Sequence, residues 1–435
     1  MSTTGATGVH SRWMQLVLGL VAMMAISSPQ YVWALFTKPL TESLGVSLAE
    51  VQVTFSLLIV LQTFLSPLQG YLIDRFGPRL LLSVGAVLSG GSWVLAAHID
   101  SLMGLYLTYG LLGGVGTGII YVGVVGMMVQ WFPDRRGLAA GMVAAGYGFG
   151  AVLTTFPISR SLGNNGFENT LVTFGIILGA VGILAALGMR RPDRDFIKTV
   201  VIKPQKTKMI STQRSYTAPE MLRSPIFWLL FVMMTMMSTT GLMVISQMGA
   251  IARDFKVADV LVFGMAALPL ALTIDRVTNG FTRPFFGWVS DKIGRENTMF
   301  IAFGLEGLSI TAWYFVAHDP LWFALLSGVV FFGWGEIFSL FPSILTDTFG
   351  VGHATTNYGF LYMAQGVGSV LGGPVAALLY GATGSWGPVF TVVVSMDILT
   401  ALLAVLVLKP LRRAHLSRSD VVGGATGAAV GSLAH

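Results

Sequence analysis

The sequence predicts an all-α membrane protein with twelve transmembrane helices in two six-helix pseudo-repeats. Of its 435 residues, 54% are hydrophobic and only 11% are charged, whereas a soluble domain carries about 25% charged residues. Apolar runs of about 20 residues recur along the chain, which is the length that crosses a bilayer as a helix. The sequence lacks the alternating segments of about ten residues that are typical of membrane β-barrels.

Twelve apolar runs are predicted as spans. The first run counts as a span because it is too long for a signal peptide and lacks a small-residue cleavage site. The predicted spans are residues 13–37, 49–73, 79–98, 102–131, 137–161, 167–189, 225–252, 258–287, 297–317, 320–346, 354–381 and 385–408. The predicted domains are an N-terminal six-helix bundle (1–189), a cytoplasmic linker (190–224), a C-terminal six-helix bundle (225–408) and a cytoplasmic tail (409–435).

Lysine and arginine residues predict the orientation of the chain, because they concentrate in cytoplasmic loops. Twenty of the 26 fall in the termini and in loops on one side of the predicted bilayer, four on the other side and two within spans. We therefore expect a multi-pass protein of the plasma (cytoplasmic) membrane with both termini in the cytoplasm. These flanks explain the net charge of +6, which therefore does not indicate a nucleic-acid partner.

Composition also narrows the chemistry. The chain has no cysteine, which excludes disulfides, thiol catalysis and cysteine-ligated metals. Its six histidines have no metal-like spacing, and the sequence shows no catalytic cluster or cofactor motif. We therefore predict a monomeric protein of the lipid bilayer that is not an enzyme and binds no metal or cofactor.

The two halves repeat one motif at a constant offset of 217 residues. Each copy begins with a glycine. An acid follows four residues later, then a base, then a second glycine two residues further, and then an arginine. Both copies fall on predicted cytoplasmic turns. The first copy is Gly70, Asp74, Arg75, Gly77 and Arg79, and the second is Gly287, Asp291, Lys292, Gly294 and Arg295.

This motif resembles the signature loop of the major facilitator superfamily. The resemblance implies two bundles that rock around a binding site near the bilayer midplane. The carboxylate of each copy can cap a neighbouring helix end and pair with basic residues, so we expect a conformational latch. The expected latch residues are Asp74, Arg75, Arg79, Asp291, Lys292 and Arg295.

Arg283 is the most informative residue of the predicted eighth span. It lies about 12 Å from the nearest polar loop at 1.5 Å per residue. A guanidinium at that depth should face a protein interior or a wet cavity and hold something negative. Arg276 and Asn279 share its helix face through spacings of three and four, so Arg283 and Asn279 are predicted to bind a carboxylate. For Arg276, the alternative is an internal ion pair with Glu336 or Asp275.

Acids inside the predicted spans are the candidates for proton coupling. Glu336 and Asp275 are each predicted either to carry a proton or to pair with an arginine, since a carboxylate in a low dielectric tends to take up a proton. Glu306 and Asp397 are predicted to be structural, as hydrogen-bond donors or acceptors.

Aromatic side chains with a polar tip recur on spans expected to line the cavity. Tyr and Trp present an apolar body and one donor, which suits a small acid with a short hydrocarbon part. The candidate substrate-binding residues are Arg283, Asn279, Tyr31, Tyr121, Tyr147, Trp334, Tyr362 and Gln365.

Segments around the eighth span narrow the resemblance to one group. Residues 279–295 and 131–137 look like parts of the oxalate:formate antiporter group, and the Arg-Pro pair preceded by a polar residue is similar to monocarboxylate transporters. The resemblance covers residues 12–408. It departs from the oxalate exchanger, which has a lysine where this chain has Gln365. It also departs from animal monocarboxylate carriers, which have a first-span lysine where this chain has Tyr31.

One fixed arginine beside a neutral glutamine suits a single carboxylate better than a dicarboxylate, which needs a cation at each end. We therefore predict a secondary active transporter of small monocarboxylates, with proton-coupled L-lactate or pyruvate symport by alternating access. The alternative is an oxalate/formate-type organic anion exchanger in which Arg276 is the second cation. A receptor is disfavoured because the chain has no long soluble domain, and a cationic-drug pump because its cavity would need acids.

Overall fold

A computed structural model of the chain describes residues 4–46, 48–193, 211–212 and 214–417. Most of the predicted linker and the end of the predicted tail therefore lie outside the described residues. The α-helices are Thr4–Ala25, Ser28–Tyr31, Trp33–Leu44, Leu48–Phe64, Ser66–Phe76, Pro78–Ala96, Leu102–Leu105, Gly113–Trp131, Arg136–Gly188, Ala218–Leu222, Pro225–Asp254, Ala267–Ile293, Arg295–Val316, Pro320–Trp334, Ile337–Phe349, Ala354–Val370, Ala376–Thr383 and Trp386–Leu403. Wider π-helical turns occupy Tyr106–Leu112, Leu371–Val375 and Ala404–Leu408.

The described helices confirm an all-α membrane protein. Ten of them are long and apolar enough to cross a bilayer, and an eleventh candidate is the pair Val53–Phe64 and Ser66–Phe76, which bends by 49°. The helix Ala267–Ile293 is also long, with 27 residues, but Asp275 and two arginines make its centre too charged to qualify by composition alone. Twelve crossings therefore stay a prediction.

The predicted eighth span begins later than the sequence indicated. Residues 258–266 were assigned to it as apolar, but the helix starts at Ala267. Two short antiparallel strands, Leu261–Val262 and Met265–Ala266, precede it. Because valine and aromatic residues favour extended backbone, this apolar stretch folds into a hairpin instead of lengthening the helix.

Glycine marks the boundary between the predicted fifth and sixth spans. The helical stretch Arg136–Gly188 is interrupted at Gly166, which has φ 77° and ψ 173°. That conformation is open to glycine and unfavourable for other residues, so the stretch comprises two helices that meet where the sequence predicted a turn.

Two predicted spans contain a short turn. In the tenth, the turn is at Gly335 and Glu336, between the helices Pro320–Trp334 and Ile337–Phe349. In the first, it is near Ser27, after Thr4–Ala25. Gly335 and Glu336 keep helical backbone angles, so this turn is a local irregularity in a helix that continues from Pro320 to Phe349.

The chain divides into two compact units. Unit 1 takes the described residues within 1–133, 142–203 and 358–366, and unit 2 takes those within 134–141, 204–357 and 367–435. Each unit therefore includes a short segment from the other half of the sequence. Unit 1 has an aromatic core in which Trp33 lies 4.7 Å from Tyr109, and the Tyr109 hydroxyl donates to the Pro29 carbonyl at 2.8 Å.

Matching backbone geometry supports the predicted internal repeat. Gly77 and Gly294, the second glycines of the two motif copies, have nearly the same conformation: φ 97° and ψ 154° in the first, φ 95° and ψ 155° in the second. A positive φ is strained for any residue with a Cβ, which explains why both copies carry glycine there.

A second match concerns proline and glycine. In unit 2, the carbonyl of Arg283 and the Cα of Pro284 pack directly on Gly141. In unit 1, Ser66 and Pro67, which lie 217 positions earlier, pack on Gly359 in the same way. Added Cβ atoms at these two glycines would overlap the backbone that they touch, so both contacts depend on glycine for close approach.

Candidate functional site

Arg283 is buried in unit 2, with only 1% of its surface exposed. Its Nε donates to the Asn279 Oδ1 at 2.9 Å, and its guanidinium lies 4.5 Å from the centre of the Phe338 ring. The spacing of four residues on one helix puts the arginine and the amide on the same face. The structure therefore places Arg283 and Asn279 on one helix face, as the sequence predicted. The Phe338 ring makes a cation–π contact with the guanidinium.

Arg276 and Asp275 differ from each other in their surroundings. Arg276 is exposed, and no acidic side chain lies within ion-pair distance of it in the described part of the chain. Asp275 is buried, and neither of its carboxylate oxygens has a hydrogen-bond partner within the described ranges. The predicted ion pair of Arg276 with Asp275 or Glu336 is therefore not formed in this structure, because neighbouring residues on a helix point to different faces.

Glu336 lies at the turn in the predicted tenth span. It is completely buried, and neither carboxylate oxygen has a hydrogen-bond partner among the described residues. The preceding Gly335 packs on Asn279, so that a methyl group there would come within 3.2 Å of the Asn279 Oδ1. Arg283 acts electrostatically on the Glu336 carboxyl. The turn thus brings one acid to the neighbourhood of the buried arginine.

Trp334 packs in unit 2 against Phe338, the residue whose ring contacts Arg283. Its indole nitrogen donates to the Met237 carbonyl at 2.9 Å, and its ring lies on Gly241. It meets Phe338 edge to face at 5.6 Å. Since its single donor is used by the backbone, Trp334 supports the Phe338 ring that covers Arg283 and offers no further hydrogen bond.

Four of the predicted tyrosines gather in unit 1. Tyr121 stacks on Tyr362 with ring centres 4.8 Å apart and planes 10° from parallel. Tyr147 meets Tyr121 edge to face at 5.2 Å, and Tyr31 meets Tyr147 at 5.4 Å. Edge-to-face and offset-stacked contacts of this kind add about 0.5–1.5 kcal/mol each. The structure therefore builds these residues into one aromatic wall.

Amide side chains border the aromatic wall. Tyr147 donates its hydroxyl to the Gln30 Oε1 at 2.5 Å, and Gln62 donates to the Tyr362 hydroxyl at 3.5 Å. Gln365 is 7% exposed, and its Oε1 has no hydrogen-bond partner within the residues described. This part of unit 1 is thus polar and uncharged, as the replacement of a lysine by Gln365 predicted.

The second motif copy forms a dense ionic network in unit 2. Asp291 accepts hydrogen bonds from the backbone N–H groups of Gly137 at 3.2 Å and Leu138 at 3.0 Å, and so caps the helix that starts at Arg136. Arg295 donates to Asp291 at 2.5 Å and to Asp347 at 2.9 Å. Burial raises the pKa of the Asp291 carboxyl, while Arg295 and the two N–H groups oppose that rise.

Other predicted latch residues lie on the surface. Lys292 is exposed and stacks over Trp288 at 3.7 Å from the ring centre. In unit 1, Arg75 donates to the Tyr71 hydroxyl at 3.0 Å, Arg79 is exposed and Asp74 is half-buried. The buried ionic network therefore belongs to the second copy, through Asp291 and Arg295. Arg136, which pairs with Asp347 there, was not predicted.

Sequence reasoning missed further residues of the arginine and tyrosine clusters. They include Phe338, which covers Arg283, Gln62, which contacts Tyr362, and Tyr358, whose ring lies 5.6 Å from Tyr362. The internal repeat could have found two of them, because Phe338 lies 217 positions after Tyr121 and Gln62 lies 217 positions before Asn279. Equivalent positions of the two halves thus contribute to the candidate clusters.

These arrangements suit binding rather than bond breaking. Unit 2 offers one fixed, buried cation with a neutral amide, and unit 1 offers aromatic faces with amides. Within the described residues, no three His, Asp or Glu side chains lie close enough to hold a metal ion. A guanidinium with a planar fork matches a carboxylate in shape and charge.

Known proteins similar to this chain are membrane transporters. A family model described as Major Facilitator Superfamily matches residues 16–274 and 232–427. The chain is 35% identical over 416 residues to the "Oxalate:formate antiporter" of Oxalobacter formigenes, covering 94% of each sequence. It is 25% identical over 381 residues to "Monocarboxylate transporter 13" of Bos taurus, covering 87% of this chain and 82% of the relative. It is 24% identical over 328 residues to the "Fujikurins efflux protein" of Gibberella fujikuroi, covering 74% and 66% respectively.

Proposed function

Because the chain belongs to the Major Facilitator Superfamily, we propose that this transporter carries small monocarboxylates, and that its activity is proton-coupled symport of L-lactate or pyruvate. The resemblance to the oxalate:formate and monocarboxylate group that the sequence indicated is confirmed by the relatives. The chain is a multi-pass membrane protein. Its substrate and its coupling ion are what we propose here.

The buried guanidinium of Arg283 is the observation that carries the proposal. Asn279 supplies a neutral acceptor to Nε and Phe338 covers one face of the guanidinium. A buried guanidinium held in this way matches a carboxylate ligand in shape and charge. Relatives whose names include oxalate, formate and monocarboxylate support small acids as the class of substrate.

The neutral aromatic wall of unit 1 favours a monocarboxylate over a dicarboxylate. Tyr121, Tyr147 and Tyr362 offer apolar faces and hydroxyls, and Gln365 carries no charge. A surface of aromatic carbon, hydroxyl and amide groups suits the apolar and hydroxyl parts of a small acid better than it suits a carboxylate, which prefers a cation.

Coupling to protons follows from charge neutrality in this proposal. The empty carrier must return through the membrane with the charge of Arg283, and the loaded carrier adds one negative charge. If an acid near Arg283 takes up a proton when the anion binds, the site keeps the same net charge in both forms. Alternating access then interconverts inward and outward states of similar energy.

Uptake of labelled L-lactate into proteoliposomes under an inward proton gradient tests the proposal. We expect saturable uptake in the wild type and a fall of at least about 10- to 100-fold in kcat/KM for Arg283→Gln, since a hydrogen bond to a charged group contributes about 1.5–3 kcal/mol. Arg276→Gln is the matched control, because it removes an exposed arginine from the same helix. Full activity in Arg283→Gln, or no gradient-driven uptake in the wild type, refutes the proposal.

The second candidate function is exchange of oxalate, formate or a related anion. Two observations favour it: the 35% identity to an "Oxalate:formate antiporter" and the exposed, unpaired Arg276 two turns from Arg283. Arg276 would then bind the second carboxylate. Counterflow of oxalate that is insensitive to pH and lost in Arg276→Gln supports exchange, whereas lactate symport is unaffected by this substitution.

A further inference from the structure

Three acids of unit 2 are buried where their helices pack together. Glu306, Glu336 and Asp397 come from the predicted ninth, tenth and twelfth spans, and each is completely buried, with 0% of its surface exposed. Their helices approach closely through glycines. A methyl group on Gly333 would lie 2.8 Å from the Glu306 Cβ, and one on Gly307 would lie 3.2 Å from the Asp397 Cβ. The charged forms of the three carboxyls repel one another.

The three buried carboxyl groups have almost no hydrogen-bond partners among the described residues. Both oxygens of Glu306 and both oxygens of Glu336 have no hydrogen-bond partner in the part of the chain that the structure describes. Asp397 accepts from the Thr240 hydroxyl at 2.7 Å through Oδ1, but its Oδ2 is also unpartnered there. The sequence-based expectation of structural hydrogen bonding therefore holds for one oxygen of Asp397 and is wrong for Glu306.

Charge and geometry limit what can occupy this cluster. An ionised carboxylate buried without a partner costs several kcal/mol, so Glu306 and Asp397 bind a proton instead, whereas the positive charge of Arg283 lowers this cost for Glu336. A cation is a poor fit, because the acids of the described residues nowhere come together in a metal-binding group of three. The charged groups that act on the cluster are its own members and Arg283, which acts on Glu336.

We propose that Glu336 is the proton-binding group of unit 2 and exchanges the transported proton, while the neighbouring Glu306 and Asp397 stay protonated and take no part in the exchange. The inference rests on the proposed symport and names the site of its coupling ion. Glu336 is distinguished from the other two by its place at the turn between Pro320–Trp334 and Ile337–Phe349, by the packing of the adjacent Gly335 on Asn279, and by the action of Arg283 upon it.

The coupling step balances in charge. In the empty carrier, ionised Glu336 partly neutralises Arg283 at a distance. When a monocarboxylate binds to Arg283, Glu336 loses that stabilisation and accepts one proton from water, which enters with the anion. The net charge of Arg283, Glu336 and the anion site is zero before and after binding. The positive arginine is balanced by ionised Glu336 in the empty carrier and by the anion in the loaded carrier. Release of the anion returns the proton to solvent.

Substitution of the three acids tests the assignment. Glu336→Gln is compared with Glu306→Gln and Asp397→Asn, each of which mimics a carboxyl that stays protonated. Three measurements are made on each variant: counterflow of labelled L-lactate without a pH gradient, accumulation driven by a gradient, and proton uptake by purified protein on lactate addition in weak buffer. We expect the wild type to take up about one proton per bound anion.

Glu336→Gln should keep counterflow but lose gradient-driven accumulation and proton uptake, whereas Glu306→Gln and Asp397→Asn should keep all three. The assignment is overturned if Glu336→Gln still takes up a proton, or if Glu306→Gln or Asp397→Asn loses proton uptake. Either result leaves the proposed symport intact. If the wild type shows counterflow with neither accumulation nor proton uptake, the symport itself is refuted. Should Glu336→Gln not fold, Glu336→Asp must still shift the pH midpoint of uptake, and an unchanged midpoint overturns the inference.

Discussion

The hydrogen bond from Arg283 to Asn279 provides the sharpest test of the anion site. Replacing Asn279 by aspartate preserves the shape of the side chain and the acceptor that lies 2.9 Å from the Arg283 Nε. It adds one negative charge beside the guanidinium. The variant Asn279→Asp therefore places an internal competitor where the substrate carboxylate would otherwise neutralise the cation.

The size of the effect follows from this geometry. Two unit charges about 4 Å apart attract by about 4 kcal/mol at an effective dielectric of about 20. Desolvation and the lost neutral hydrogen bond offset part of this, which leaves about 1.5–3 kcal/mol for the charged pair. We expect anion affinity to fall by about 10- to 100-fold, since each 1.4 kcal/mol corresponds to about tenfold. Pairing with Arg283 favours the ionised form of the new carboxyl, so the loss of affinity should persist from mildly acid to mildly alkaline pH.

The assay is the KM for L-lactate uptake measured from mildly acid to mildly alkaline pH, together with the melting temperature of the ligand-free protein. Asn279→Asp should raise the KM across this whole range and also raise the melting temperature, because the internal pair stabilises the empty form. Asn279→Leu is the control, with a lower melting temperature and no new dependence on pH. A KM for Asn279→Asp that matches the wild type at every pH refutes this account of the site.

Three further predictions concern packing and the latch. Gly359→Ala forces a Cβ into the backbone of Ser66 and Pro67, on which this glycine packs. The substitution should lower the free energy of unfolding by about 1–3 kcal/mol and so lower the melting temperature. Gly373→Ala is the control, because Gly373 has open space around it, and it should leave the melting temperature unchanged. Asp291→Asn removes the charge that caps a helix and should cost about 1–3 kcal/mol in thermal unfolding, whereas the exposed Lys292→Gln should have no measurable effect. Tyr362→Phe retains the stack on Tyr121 and should leave the KM for L-lactate unchanged, whereas Tyr362→Ala should raise it. If Tyr362→Ala has the KM of the wild type, the stack is not part of the binding site.

Local patterns predicted the parts of the structure that depend on one helix. The spacing of Arg283 and Asn279 predicted a shared helix face, because residues four apart lie on one side of a helix, but their hydrogen bond to each other was not predicted. The offset of 217 residues gave two copies of the same turn, with Gly77 and Gly294 in matching conformations. Composition gave a multi-pass all-α protein, since no soluble core could bury so much apolar surface.

Tertiary packing decided the parts that the sequence did not reveal. The cluster of Glu306, Glu336 and Asp397 requires three helices to converge, and nothing in the spacing of these acids indicates it. The exposed position of Arg276 follows from the rotation of its helix against its neighbours, which the sequence leaves open. The hairpin before Ala267 was missed because a short apolar run fits a strand as well as a helix.

The Arg283-Pro284 pair has an uncharged counterpart in Ser66-Pro67, and each pair packs against a glycine of its own unit. A duplicated chain can thus keep the same backbone contact in both halves while only one of them carries the charge. Because the Arg283 carbonyl and the Pro284 Cα make that contact, the side chain at position 283 can change without loss of the close approach.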